Sequence, residues 1–522
     1  MRRIMTVFDG LVRWLIILFA SLVTLISLVW TVKVDYNEKI FTYDHSHWWL
    51  TLLLAVSLLL VVHFTPLLAW LKRYDHRRLA FATGVITWIM GVIWAFSADV
   101  GVIWDSLDLW IAATDPNAPQ WDSAGYMERY PYQASMIIAL KACRWLAGAD
   151  HALLLFQLGN AVCVGVSSWL VVLLVHAWSE NDRATGLAAV MQIMFLPPIL
   201  YVTFVYGNQF ALMCMLAAFL CQSYGFQSKR VRWNILAILL ILLAVIAKRT
   251  FLLAAITLAI VWLLEALRNR AWKPLIPAIL SLACCLLIPT SLDSMILRHY
   301  DANPNNGLPK TTWIVMGLSA GHKEHPPFTA LGMFDGHPFD LPADQYSPEK
   351  QAADDRKLLH KQLKEDIQHP HQFINYLTHK TIYEWADPTH GSILASNWER
   401  GTTPPLSTRA KTRIANSMYD GKLHTVTVTV MDVIQLLTLF GFLLAFTFSS
   451  INIRDRGLAL FALGGFLLYL IWEAKSQYTL PMIQAMLPYA AIGLTAILDG
   501  LKTLGTRVDE AGQRVLDEMG LF

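Results

Sequence analysis

Long uninterrupted apolar runs leave this chain few folds to adopt. A helix crossing the hydrocarbon core of a bilayer needs roughly 20 mostly apolar residues. Runs of that kind cover 11–32, 48–71, 79–98, 151–178, 184–206, 208–226, 232–248, 250–267, 272–291, 425–449, 456–473 and 478–500, about twelve in all. Only 15% of the 522 residues are charged, against about a quarter in a soluble protein. The expected class is an all-α polytopic membrane protein with about 12 transmembrane helices. Its 20 Trp and 17 Tyr suit many lipid–water boundaries. Met1-Arg2-Arg3 leads into the first run with no small-residue cleavage pattern, which reads as a retained helix. A net charge of +3 is too small to imply nucleic acid. The six cysteines lie in or beside apolar segments, so neither a disulfide framework nor a cysteine zinc site is expected.

Basic residues orient the spans. Lysine and arginine concentrate in cytoplasmic loops, and Arg2 and Arg3 place the N-terminus there. Lys72, Arg73, Arg77 and Arg78 follow two spans later, on the same side. The fifteen or so residues "ASMIIALKACRWLAG" (134–148) are short for a span, with Lys141 and Arg144 on one helical face. If this segment lies flat on the outer surface, the loops with Arg183, Lys229–Arg232, Arg268–Lys273 and Arg454–Arg456 all fall inside; if it spans, they all flip. The flat reading is preferred, as an amphipathic interfacial helix. Expected localisation is the plasma (cell) membrane, multi-pass, with both termini cytoplasmic. The organisation follows: spans 1–3 in 1–97, an outer loop with interfacial helices in 98–150, spans 4–9 in 151–291, an extracytoplasmic mixed domain in 292–424, spans 10–12 in 425–500 and a cytoplasmic tail in 501–522.

On this topology several outer helix ends carry polar groups at one depth. Asp99 closes the third span, and Asp105 and Asp108 follow it. "YMERYPYQ" brings Glu128, Arg129 and Tyr130; "FVYGNQ" brings Tyr206 and Asn208; Lys248 and Arg249 interrupt an apolar run. "IWEAKSQYTLP" (471–481) sets Glu473, Lys475 and Tyr478 between two spans. Each has an ordinary reading: a snorkelling cation, a solvated cap, a belt aromatic. Within the hydrocarbon zone there is little besides His63 and Asp432. His322 and His325, spaced H-x-x-H beside two prolines, make a poor metal site. What favours function is convergence: carboxylates and cations at one depth suit a membrane-embedded anionic substrate. For a sugar on a polyprenyl phosphate, cations stabilise the departing phosphate and a carboxylate accepts the attacking hydroxyl's proton.

In this order the motifs resemble the GT-C superfamily of polyprenyl-phosphate-sugar-dependent glycosyltransferases, among them protein O-mannosyltransferases, lipid A aminoarabinose transferases and bacterial cell-envelope enzymes. "YMERYPYQ" looks like the tyrosine-and-proline signature of their first outer loop. "YGN" resembles a short outer motif, and "WEAKSQY" their glutamate-x-basic-x-x-tyrosine pattern. The resemblance implies a GT-C-like fold and inverting transfer of a hexosyl or pentosyl group to an extracytoplasmic glycan, lipid or protein acceptor. It carries the base role onto Asp99, with Asp105 as the competing acid. Donor-phosphate binding falls to Lys248, Arg249 and Lys475; substrate binding to Arg129, Tyr130, Tyr206, Asn208, Glu473 and Tyr478. Some relatives use a divalent cation and most do not; no compact carboxylate cluster here demands one, and no metal ligand is assigned. Two departures stand out. Two extra spans precede the first large loop, and Lys475 replaces an arginine, giving a point charge in place of a bidentate fork. The competing class is a transporter or lipid-linked-saccharide flippase, which would build its site nearer the midplane and often from repeats.

Overall fold

The computed structural model describes residues 2–35, 40–98, 100–102, 105–114, 126–319, 331–342, 344–396 and 412–518. The chain is a multi-pass, largely helical membrane protein. Among the described residues eight helices are long and apolar enough to cross a bilayer: Val7–Val29, His76–Ala98, Pro131–Ser179, Asn208–Ser228, Arg249–Asn269, Leu275–His299, Lys422–Phe448 and Ser476–Gly500. Asp182–Met194 and Pro197–Thr203 form a pair bent by 41° that makes a ninth if it is one span. Three shorter apolar helices, Trp48–Phe64, Val231–Ala247 and Gly457–Tyr469, take up the remaining runs. Backbone groups in lipid must be satisfied within the segment, so apolar runs of this length become helices.

Ion pairs mark one end of the bundle. Asp9 pairs with Arg456 at 2.8 Å, Glu265 with Arg454 and Asp499 with Arg183. The rings of His76 and His176 stack there with centroids 3.6 Å apart. The N-terminal helix and the basic loops therefore share one end. The opposite end carries the turns at 204–208, 247–251 and 470–475, with the helical layer that follows residue 300.

Two expectations need correction. Among its described residues the segment 292–424 is helical and not mixed, with helices Lys310–Leu318, Pro348–Gln368, Pro370–Trp385, Ser392–Ala395 and Arg413–Asp420 and short turns between. The stretch 348–368 is rich in Lys, Gln, Leu, Asp and Ala, mostly good helix formers with few β-branched residues. The strands among the described residues lie elsewhere, as an antiparallel hairpin of Trp30–Asp35 and Ile40–His45 after the first span. The boundary also moves, because helix Leu275–His299 runs past residue 291.

The 134–148 segment is helical and leaves helical geometry at Gly148 (φ 74°, ψ 174°), where it meets the long helix ending at Ser179. Its Met136, Ile137 and Leu140 are buried, whereas Trp145 is 84% exposed. Lys141 sets its ammonium 4.3 Å from the Tyr300 ring centroid.

The helical layer is locked to the first loop. Arg129, at the end of Tyr126–Arg129, is buried and donates to the carbonyls of Pro338 and Leu341. Its guanidinium also lies 4.4 Å from the Tyr346 ring centroid and 4.9 Å from that of Phe339. Beside it, buried His337 bonds Asp340 at 2.8 Å through Nδ1 and Asp355 at 2.9 Å through Nε2. Burial opposes the imidazolium, but the two carboxylates outweigh it and raise His337 to about 9. A group raised above its unfolded value of about 6.5 stabilises fully below that pH and loses its contribution as pH rises through the folded value. The melting-temperature gap between wild type and His337→Gln is therefore expected to be widest near pH 6 and to close towards pH 9.5. A gap independent of pH would show that His337 acts through packing alone.

Candidate active site

The site begins at a turn that only glycine permits. Tyr206 and Gly207 connect the bent pair to Asn208–Ser228. A Cβ on Gly207 would lie 2.1 Å from the Ala247 carbonyl oxygen, so the turn sits directly against the end of Val231–Ala247. At that end Lys248 adopts an extended backbone (φ −154°, ψ 113°) and breaks the helix. Its Nζ comes 3.8 Å from the centroid of the Tyr206 ring, a cation–π contact. The next residue goes elsewhere: the Arg249 Nη2 meets Asp293 Oδ2 at 2.5 Å. Adjacent residues off a helix aim in different directions, and the nearby Asp293 carboxylate claims the second cation.

Asp105 faces Lys248 from the first turn of Asp105–Thr114, where a carboxylate suits the helix N-terminus. It is exposed, and accepts a long hydrogen bond from the Tyr206 hydroxyl (3.4 Å). The Gln133 side-chain amide donates to the same hydroxyl oxygen. Burial pushes Lys248 down to about 8; Asp105 holds it up, Lys475 lowers it further, and Glu473 again favours its charged form. Burial first, then the Asp105 carboxylate, keeps the Tyr126 hydroxyl well above its ordinary range; Tyr130 is raised by burial, Tyr132 and Asp105. Both remain donors at neutral pH. Tyr130 and Tyr132 each lie 6.2 Å from Trp313, ring centroid to ring centroid.

The third contribution is the non-helical strap 470–475 between Gly457–Tyr469 and the helix that starts at Ser476. Glu473 is buried and its carboxyl accepts from the Tyr478 hydroxyl at 3.5 Å. Burial raises this carboxyl above the usual range, against the pull of Lys475, the Tyr478 hydrogen bond and Lys380. Lys475 sits 5.7 Å from the Tyr478 ring centroid. Asn208, Lys248, Tyr469, Gln477, Tyr478 and Met482 help line a small cleft.

The structure thus brings together Asp105, Tyr130, Tyr206, Asn208, Lys248, Glu473, Lys475 and Tyr478. It pairs Arg249 with Asp293 and buries Arg129 against the carbonyls of Pro338 and Leu341. Asp99 lies outside the described residues, as do His322 and His325. Four groups had not been singled out: Tyr132, Gln133, Gln477 and Lys380. The first two are part of "YMERYPYQ" and Gln477 of "WEAKSQY", so their motifs were visible; nothing local distinguishes Lys380. Among the described residues no three His, Cys, Asp or Glu side chains group as metal ligands. Lys248 and Tyr478 on the cleft, with Lys475 and the accessible Asp105 carboxylate close enough to act on Lys248, can bind an anion and accept a proton beside it. No protein-family model matches the chain, and no curated protein sequence matches it.

Proposed function

We propose that this protein is an integral membrane glycosyltransferase of GT-C type, moving a sugar from a polyprenyl-phosphate donor to an extracytoplasmic glycan, lipid or protein. The single observation that carries this reading is the convergence of Asp105 and Lys475 on Lys248, which lines the cleft, at the end opposite the basic loops. The positive-inside rule makes that end extracytoplasmic, with twelve spans and both termini in the cytoplasm of a cell-membrane protein. The lipid tail stays among the helices and the phosphate rises to Lys248 and Lys475. An acceptor hydroxyl then attacks the anomeric carbon from the face opposite the phosphate. Its proton passes to the Asp105 carboxylate as the new C–O bond forms. The old C–O bond breaks with its electron pair on the phosphate oxygen, where the two ammonium groups stabilise the growing charge. Tyr206 and Tyr478 supply neutral donors to the same anion or to the sugar, and Glu473 limits repulsion between the two lysines.

Purified protein in proteoliposomes, given a polyprenyl phosphate carrying radiolabelled sugar, is expected to move label to an envelope acceptor and release the lipid phosphate in equal amount. Movement of intact donor between leaflets without bond cleavage would overturn this and establish the flippase reading.

A further inference from the structure

The strap 470–475 carries Glu473 and Lys475 yet has no helix of its own. Its conformation is imposed from the helical layer above it. The Glu473 N–H donates to the Trp313 carbonyl at 2.8 Å, and the Ala474 N–H to that of Gly332 at 3.0 Å. The third tie is a side chain. Lys380, on helix Pro370–Trp385, is 1% exposed, and its Nζ donates to the carbonyls of Gly317 and Trp472, each at 2.8 Å. A longer contact of 3.4 Å reaches the Leu470 carbonyl. The nearest carboxylate oxygen, on Glu384, stands 3.8 Å away, an ion-pair distance too long for a hydrogen bond. An ammonium has three donors, and these contacts occupy them with carbonyls in the first half of the strap and on Lys310–Leu318.

Two glycines make that approach possible. A Cβ on Gly317 would lie 2.4 Å from the Ile471 oxygen, and Gly332 has a positive φ (75°) with its Cβ position 2.6 Å from Lys380 Cε. Several chain segments therefore converge on one buried ammonium, which lies behind the strap and not on the cleft.

We propose that Lys380 is a positioning residue: it fixes the strap so that Glu473 and Lys475 stay beside Lys248, and so sets the geometry of the anion site. The part concerning the anion rests on the transferase reading above; the part concerning the strap does not. Misplacing a binding group by about 1 Å costs up to about 10²-fold, and a displaced strap moves one of the two lysines while Lys248 stays.

The test uses the full chain in lipid nanodiscs. Lys380→Met keeps length and removes the donors; Lys380→Arg keeps the charge. Hydrogen–deuterium exchange reads the strap, and affinity for a sugar-free polyprenyl phosphate reads the anion site. In Lys380→Met, faster exchange is expected at 470–475 and at its partners near 313–317, with affinity lowered about tenfold. Lys380→Arg is expected to recover part of both. Unchanged strap exchange would overturn the proposal. So would exchange raised evenly along the chain, which marks Lys380 as a general stabiliser. Faster strap exchange in a protein whose wild type binds no polyprenyl phosphate would uphold the strap's positioning and sink the transferase reading. Should Lys380→Met fail to fold, Gly332→Ala crowds the same ammonium stem, and the same two readouts decide.

Discussion

Replacing Asp105 by asparagine is expected to lower sugar transfer by about 10²–10⁴-fold, the usual contribution of a general base. The amide keeps the carboxylate's shape but does not take the acceptor's proton. Donor binding should survive, because Lys248 and Lys475 remain; expression should survive, because Asp105 is exposed at the start of a helix. Asp44→Asn, which alters an exposed pair with Lys33 on the distant hairpin, serves as the control and should leave turnover unchanged. Initial rates at saturating donor measure this. The informative contrast is Asp99→Asn. If Asp99→Asn loses turnover while Asp105→Asn keeps it, the base is Asp99 and Asp105 merely tunes Lys248. If neither substitution matters, the acid–base scheme is wrong.

The second large effect separates two adjacent cations. Lys248→Met should lower transfer by about 10²–10³-fold, the range for losing one donor aimed at developing negative charge. Lys475→Ala should fall in the same range, and Lys475→Arg should recover part of it, since charge survives while geometry changes. Arg249→Met should behave differently. It leaves buried Asp293 without its guanidinium, so the loss appears in melting temperature and not in donor dependence. Rates against donor concentration, with a thermal melt of each variant, distinguish the two patterns. If Lys248 and Lys475 are only snorkelling anchors, their substitutions will leave donor dependence unaltered, and an unaltered dependence refutes the phosphate role.

That Lys248 and Arg249 part company explains why the site was only partly legible in the sequence. The motifs gather at one end of the bundle, because cations and carboxylates flanking apolar runs must lie near the membrane surface. They did not say which way each side chain turns. Arg129 stood in a convincing motif, yet it is spent on the carbonyls of Pro338 and Leu341, more than two hundred residues later. Conversely Lys380 carried no local signal, since a lysine inside "NYLTHKTIYEW" reads as an ordinary surface residue. Its burial depends on the strap and on two glycines from another segment.

The division has a physical origin. Partition into a bilayer is a sum over about 20 consecutive residues, and the positive-inside bias is read loop by loop. The helical, multi-pass architecture and the gathering of basic loops with the N-terminal helix at one end were therefore determined by the sequence alone. The helical character of 348–385 is also available locally, from its composition and proline-led helix starts. Choosing between Lys248 and Arg249 depends on part of a turn of backbone, on an Ala247 carbonyl pressed against Gly207, and on a carboxylate 44 residues away. These contacts exist only once helices distant in sequence have packed, because close packing and short-range charge pairing depend on separation in space, not along the chain.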